Sequence, residues 1–177
     1  MTKPICTINF SINERDYEST LYPIRQKPPE FAEQLSPFYS LWRTFLNENK
    51  LPKRSDLTFE VLQGWHSNIR IVNLGTEVTA DKRNIILGEL YKRYWGDKTM
   101  IEQIKALGDS GKNAFKGYDE FLSCFYKGHY GVNVGYVPDP NGSMKKLIWM
   151  DLPLSSDGHQ IDHMVTALLP YDEKYLK

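Results

Sequence analysis

The stretch from Tyr130 to Val137 constrains the fold of this chain more than any other. Tyr130, Val132, Val134 and Tyr136 alternate with Gly131, Asn133, Gly135 and Val137, the period of a strand with one bulky face and one nearly bare face. Pro138 to Ser143 follows and contains Asn141-Gly142, a pair that accepts the backbone of a tight hairpin turn, and Leu147 to Leu152 is the return strand. Ser155 to Gly158 turns the chain again. Ile161 to Leu169 alternates less cleanly and reads as a third antiparallel strand in preference to a short helix.

Upstream, Ser67 to Leu74 and Arg83 to Leu87 are β-type runs joined by the polar Gly75 to Lys82, and a hairpin is the economical reading. Between these strands and the later ones the texture is helical. Met100, Ile101, Ile104 and Leu107 have helical spacing, as do Ala114, Phe115, Tyr118, Phe121, Leu122 and Phe125, while Gly96, Gly108, Gly111 and Gly117 divide the stretch into several short helices ending near Tyr126. Ahead of the first strand, Ser36-Pro37 is a helix start, and Phe38, Leu41, Trp42, Phe45 and Leu46 form one apolar face of a helix that Asn47 to Lys50 and Pro52 end. Leu57, Val61 and Leu62 suggest a second short helix stopped at Gly64. Residues 1–34, with Ile8, Phe10 and Ile12 alternating and a proline-rich stretch from Pro23 to Pro29, read as an extended arm that lies on the domain or links to a partner. The expected organisation is an extension at 1–34, one α+β domain at 35–170 and a tail at 171–177.

The 177 residues carry 22 Lys+Arg and 22 Asp+Glu, so no net field gathers phosphates, and nucleic acid is not an expected partner. No run approaches the roughly 18 apolar residues of a membrane span, and Met1 to Phe10 is too polar for a secretory leader. A cytoplasmic protein is expected. Cys6 and Cys124 form neither a disulfide framework nor a metal clip, which suits a reducing compartment.

The order β-β, short helices, β-β-β is that of the PAS domain superfamily, and three segments carry a closer resemblance to small, stand-alone bacterial PAS proteins of the alphaproteobacterial type. FYSLWRTFLNENKLPKRSDL, from Phe38 to Leu57, resembles the opening helix with a central Trp and the LPxRxD-type loop. ILGELYKRYWG, from Ile86 to Gly96, resembles the family's Gly-Thr segment, with Glu89 where Thr is usual. DLPLSSDGHQID, from Asp151 to Asp162, is similar to the LPLSxDG strand-turn-strand signature. The resemblance covers about Leu35 to Leu169. It implies a PAS-like fold, a five-stranded antiparallel sheet with short helices on one face around a pocket, preceded by an N-terminal helix. It implies a role in sensing or partner binding and no reaction.

Neither Cys6 nor Cys124 has the surroundings of a flavin-reacting cysteine, and Asn113 to Tyr126 holds no His for haem, so the sequence has no haem or flavin signature and the cofactor is unknown. His159 and His163 read as a polar strand edge against a metal pair, and His66 as a helix-end residue against a general base. Ser155, Asp157 and His159 read as turn chemistry. With no GxSxG, HExxH, P-loop or GxGxxG, enzymatic activity is not expected.

A ligand pocket is expected from Tyr130, Val132, Val134 and Tyr136 on one strand, Trp149 on the next, and Trp95, Met100 and Phe121 on the helices; the alternative is that these side chains fill the space themselves. Phe38, Leu41, Trp42 and Phe45 are a candidate dimer interface or a cover for their own sheet. The expected function is a regulatory module that binds a small molecule or a signalling protein and, lacking an output domain after Leu169, signals by contact. A ligand-free adaptor and a small enzyme are the rival readings.

Overall fold

The structure is a computed structural model that describes residues 3–12, 15–48, 50–77, 80–172 and 174. Seven strands form one antiparallel sheet: β1 (Cys6–Ile12), β2 (Arg15–Pro23), β3 (Ile69–Asn73), β4 (Arg83–Leu87), β5 (His129–Pro138), β6 (Met144–Leu154) and β7 (His163–Pro170), in the spatial order β1-β2-β5-β6-β7-β3-β4. Among the described residues, four α-helices accompany it: α1 (Ser36–Arg43), α2 (Glu89–Trp95), α3 (Met100–Ala106) and α4 (Lys112–Phe125). The α+β class and the antiparallel sheet agree with the sequence. Three expectations are corrected.

The sheet has seven strands, not five, because the segment expected as an extension enters it. The alternation of Ile8, Phe10 and Ile12 is matched by Tyr17, Ser19 and Leu21, so β1 and β2 pair along their length and β2 pairs in turn with β5, from Asp16 opposite Tyr136 to Pro23 opposite His129. Among the described residues, no helix precedes β1. Helix α1 comes after this strand pair and leads into the loops before β3. Helices cover both faces of the sheet, since α1 packs on the face opposite α2, α3 and α4.

The second helix expected at Leu57 to Leu62 is a series of single turns, closed by Leu62 N–H to the Thr58 carbonyl at 3.1 Å and Trp65 N–H to the Leu62 carbonyl at 2.9 Å. Only Leu57 and Leu62 are fully buried there, five apart, which no one helical face can bury together. Most of the expected tail lies outside the described residues.

Strand β6 is central and is buried on both faces from Leu147 to Leu154. Its even-numbered residues Ile148, Met150, Leu152 and Leu154 join Tyr130, Val132, Val165 and Ala167 under α1, where Phe38 and Trp42 close the layer. On the other face Leu147 and Trp149 join Tyr17, Leu21, Met164 and Leu168 under α2 to α4. Helix α3 is fixed at its start by a capping box, in which the Thr99 hydroxyl accepts from Glu102 N–H at 3.4 Å and a Glu102 carboxylate oxygen accepts from Thr99 N–H at 2.6 Å. That cap places Met100 over the sheet.

Candidate functional site

The α2–α4 face leaves a gap. Glycines at 131 and 135 bring β5 close under the helices and its neighbour strand: a Cβ on Gly131 would stand 2.7 Å from Phe121 Cε2, and one on Gly135 would stand 2.3 Å from the Asp16 carbonyl oxygen and 3.1 Å from Trp149 Cη2. The bare face of the strand therefore accommodates aromatic rings rather than side chains of its own. Trp149 meets Tyr17 and Trp95 edge-on, each pair with centroids 5.5 Å apart, and the Trp95 indole N–H donates to the Tyr17 hydroxyl at 2.9 Å. Phe10 from β1 stacks on Tyr17 at 5.0 Å.

Between these rings and the sheet is a cavity with about 30 Å3 of free room, bounded also by Met100, Tyr118, Phe121 and Met164. Its floor is polar. Ser19 Oγ donates to Asn133 Oδ1 at 2.5 Å, Asn133 Nδ2 donates to Asp151 Oδ2 at 2.7 Å, and Thr166 Oγ1 donates to Asp151 Oδ1 at 2.6 Å. Beside this chain lies Arg70, only 6% exposed, with its guanidinium carbon 4.7 Å from the centre of the Tyr91 ring. The Arg70 side chain forms no ion pair and no hydrogen bond among the described residues, and its Nε is buried without a hydrogen-bond partner.

Burial raises the Asp151 carboxyl above the ordinary range; the Thr166 hydroxyl, the charge of Arg70 and the Asn133 amide pull the other way without reversing it. Burial also raises the phenols of Tyr17 and Tyr91, and pushes Tyr118 up to about 12, so all three stay protonated donors at neutral pH. The set offers cationic and neutral donors, two hydrogen-bonded carboxylate oxygens and aromatic walls. It can hold and orient a small polar group.

Four of the eight residues expected around a pocket, Trp95, Met100, Phe121 and Trp149, line this cavity. Tyr130, Val132 and Val134 face the other way, into the layer under α1, and Tyr136 is 49% exposed on the outer surface. The strand's period was legible, but the direction of its faces was not. Of the two readings of the α1 stripe, the packing matches the cover: Phe38 and Trp42 are 1% exposed, the Trp42 indole N–H donates to the Pro153 carbonyl at 2.9 Å, and Leu41 and Phe45 are half-buried. The stripe covers its own sheet.

His159 and His163 do not converge. His163 Nδ1 lies 2.6 Å from Asp162 Oδ1, while His159 sits in the turn, where its backbone N–H donates to Asp157 Oδ1 at 2.7 Å. Asp157 also binds the Ser155 hydroxyl and the Gln160 N–H, and these contacts hold its carboxyl down to about 2. His66 Nε2 lies 2.8 Å from the Phe59 carbonyl oxygen, with the two rings stacked. No group of three or more His, Cys, Asp or Glu among the described residues is placed to hold a metal ion, and no described helix is long and apolar enough to cross a membrane.

Sequence reasoning missed Ser19, Arg70, Asn133 and Asp151. The signal for two of them was present as a charge inside an apolar strand: Arg70 between Ile69 and Ile71, and Asp151 between Met150 and Leu152. It also missed that Cys6 and Cys124 meet, with Sγ atoms 3.5 Å apart across β1 and α4, where burial and its neighbour push the Cys6 thiol up to about 11. No protein-family model matches the chain, and comparison with curated proteins and with solved structures finds no significant match.

Proposed function

We propose that this chain is a PAS-like regulatory module that takes up a small molecule between the sheet and helices α2 to α4 and answers by a shift between two arrangements of that layer. The observation that carries the reading is Arg70, a buried cation whose side chain forms no ion pair or hydrogen bond among the described residues, beside a cavity with a polar floor. A buried guanidinium with an unsatisfied N–H is costly, and binding sites are where such a cost is retained. Two further features support it. Strands β3 to β7 are contiguous and antiparallel, with the three short helices between β4 and β5 lying on one face, which is what the family resemblance implies. Phe10, Tyr17 and Ser19 on β1 and β2 form part of the cavity wall, so occupancy bears directly on the outer edge of the sheet, where a signalling protein would read it.

The cavity's small free room favours the rival reading of an adaptor with a filled core. Native mass spectrometry of protein purified without added ligand separates the two. A stoichiometric adduct, or a melting temperature that rises with a small-molecule panel, is expected; a bare chain mass together with no response to any panel member returns the adaptor.

A further inference from the structure

We infer that the space beside Arg70 is a binding site for a small monocarboxylate of the size of formate or acetate. This rests on the reading of the cavity as a ligand site and names the chemistry of its occupant. The Arg70 guanidinium lies against the Tyr91 ring, 4.7 Å from guanidinium carbon to ring centre, and its buried Nε–H has no hydrogen-bond acceptor. A guanidinium edge is a fork whose two parallel N–H groups match the two oxygens of a carboxylate.

Among the described residues, no oxygen is hydrogen-bonded to that fork. Among the described residues, Asp151 is the one acidic residue lining the cavity; its Oδ1 accepts from Thr166 and its Oδ2 from Asn133, and the Asp151 and Arg70 side chains form no ion pair. Its presence also sets the charge of the guest, because a dianion such as sulfate or phosphate would meet a second negative group at close quarters, where a monoanion meets a better balance with Arg70. Size sets the rest. About 30 Å3 of free room between Trp149, Phe121 and Met164 admits a few heavy atoms and a methyl group at most, and excludes a long or branched acid unless Phe10 and the outer strand move.

The test uses the full chain at constant ionic strength, titrated with sodium formate or sodium acetate against sodium chloride and sodium phosphate, read by calorimetry and by the Arg70 Nε–H resonance. Saturable binding of formate or acetate is expected, with half-saturation on the order of 1 mM for so few atoms, accompanied by a shift of the Arg70 signal; chloride and phosphate should leave it unmoved. Arg70→Met, which keeps the bulk and removes the charge, should weaken carboxylate binding at least tenfold. The proposal is overturned if the Arg70 resonance does not move up to saturating carboxylate, a readout that needs no variant to fold, or if the R70M protein binds equally well. Should native mass spectrometry find a neutral or polyanionic occupant in the same cavity, the carboxylate assignment fails while the ligand-site reading stands. If no occupant and no response to any small molecule appear, both fall.

Discussion

Alternate residues of β5 and β6 meet two different environments. Tyr130, Val132, Ile148, Met150 and Leu152 face α1 and pack into a layer closed by Trp42 and Phe38, whereas Gly131, Asn133, Trp149 and Asp151 face α2 to α4, where two glycines, a buried carboxyl and Arg70 leave room that side chains do not fill. The same strands therefore carry a face built to exclude water and a face that leaves a small cavity with a polar floor. Nearly all buried apolar groups of the first contribute stability at about 25 cal/mol per Å2 removed from water. The second keeps buried polar groups that each cost free energy unless satisfied.

The sharpest way to break this contrast is at Trp42. Replacing it by Ala removes a side chain that is 1% exposed and its hydrogen bond to Pro153, and should destabilise the fold by about 3–5 kcal/mol in urea unfolding; a loss below about 1 kcal/mol would mean that the α1 layer is not the structural face. Gly131→Ala places a methyl group against Phe121 and should cost about 1–3 kcal/mol while abolishing the cavity's response to ligand. If ligand response survives that change, the guest does not sit under Phe121.

A pH measurement probes the cavity face alone. Because the folded-state pKa of Asp151 is raised above its ordinary value of 3.8, the native state holds the proton more tightly than the unfolded chain does. The contribution to stability is full below 3.8 and declines as pH rises through the window between 3.8 and the raised value. Asp151→Asn should therefore gain on the wild type as pH rises across that window; parallel stability curves would show that Asp151 is not desolvated. The smallest effect is expected at Tyr136, which is 49% exposed: Tyr136→Ser should change stability by no more than about 0.5 kcal/mol and leave ligand response intact. A large loss of ligand response there would move the site to the outer face.

Much of the fold was legible. The five later strands and the helix from 112 to 125 follow from the period of apolar residues. Pro37 marks the start of α1, although Ser36 lies within that helix and Leu35, not the Ser36 hydroxyl, occupies the cap position. What was not legible depends on partners far along the chain. Ile8, Phe10 and Ile12 showed a strand, but whether a strand pairs is decided by β2 and β5, and the proline-rich stretch after Pro23 argued for an arm. At the site, the period of β5 revealed two faces without saying which would meet the helices, since packing of Phe121 over Gly131 and Trp149 beside Gly135 is a tertiary fact. That Trp95, Met100, Phe121 and Trp149 face the interior was legible because they are apolar residues on elements that pack inward. Arg70 and Asp151 were missed because a charge within a strand suggests an exposed position until the sheet is seen to be covered on both faces.

The placement of β2 beside β5 bears on how the molecule assembles. Ser19 and Asn133, which form the hydrogen bond at one end of the cavity floor, stand 114 positions apart, and Cys6 and Cys124 stand 118 apart. Contacts closed over such long loops are slow to form. During synthesis the first two strands must wait, with an open edge, for most of the chain to emerge. The polar floor is thus completed only when the last-arriving strands dock, and the quenching of Trp95 and Trp149 as they meet Tyr17 would time that step.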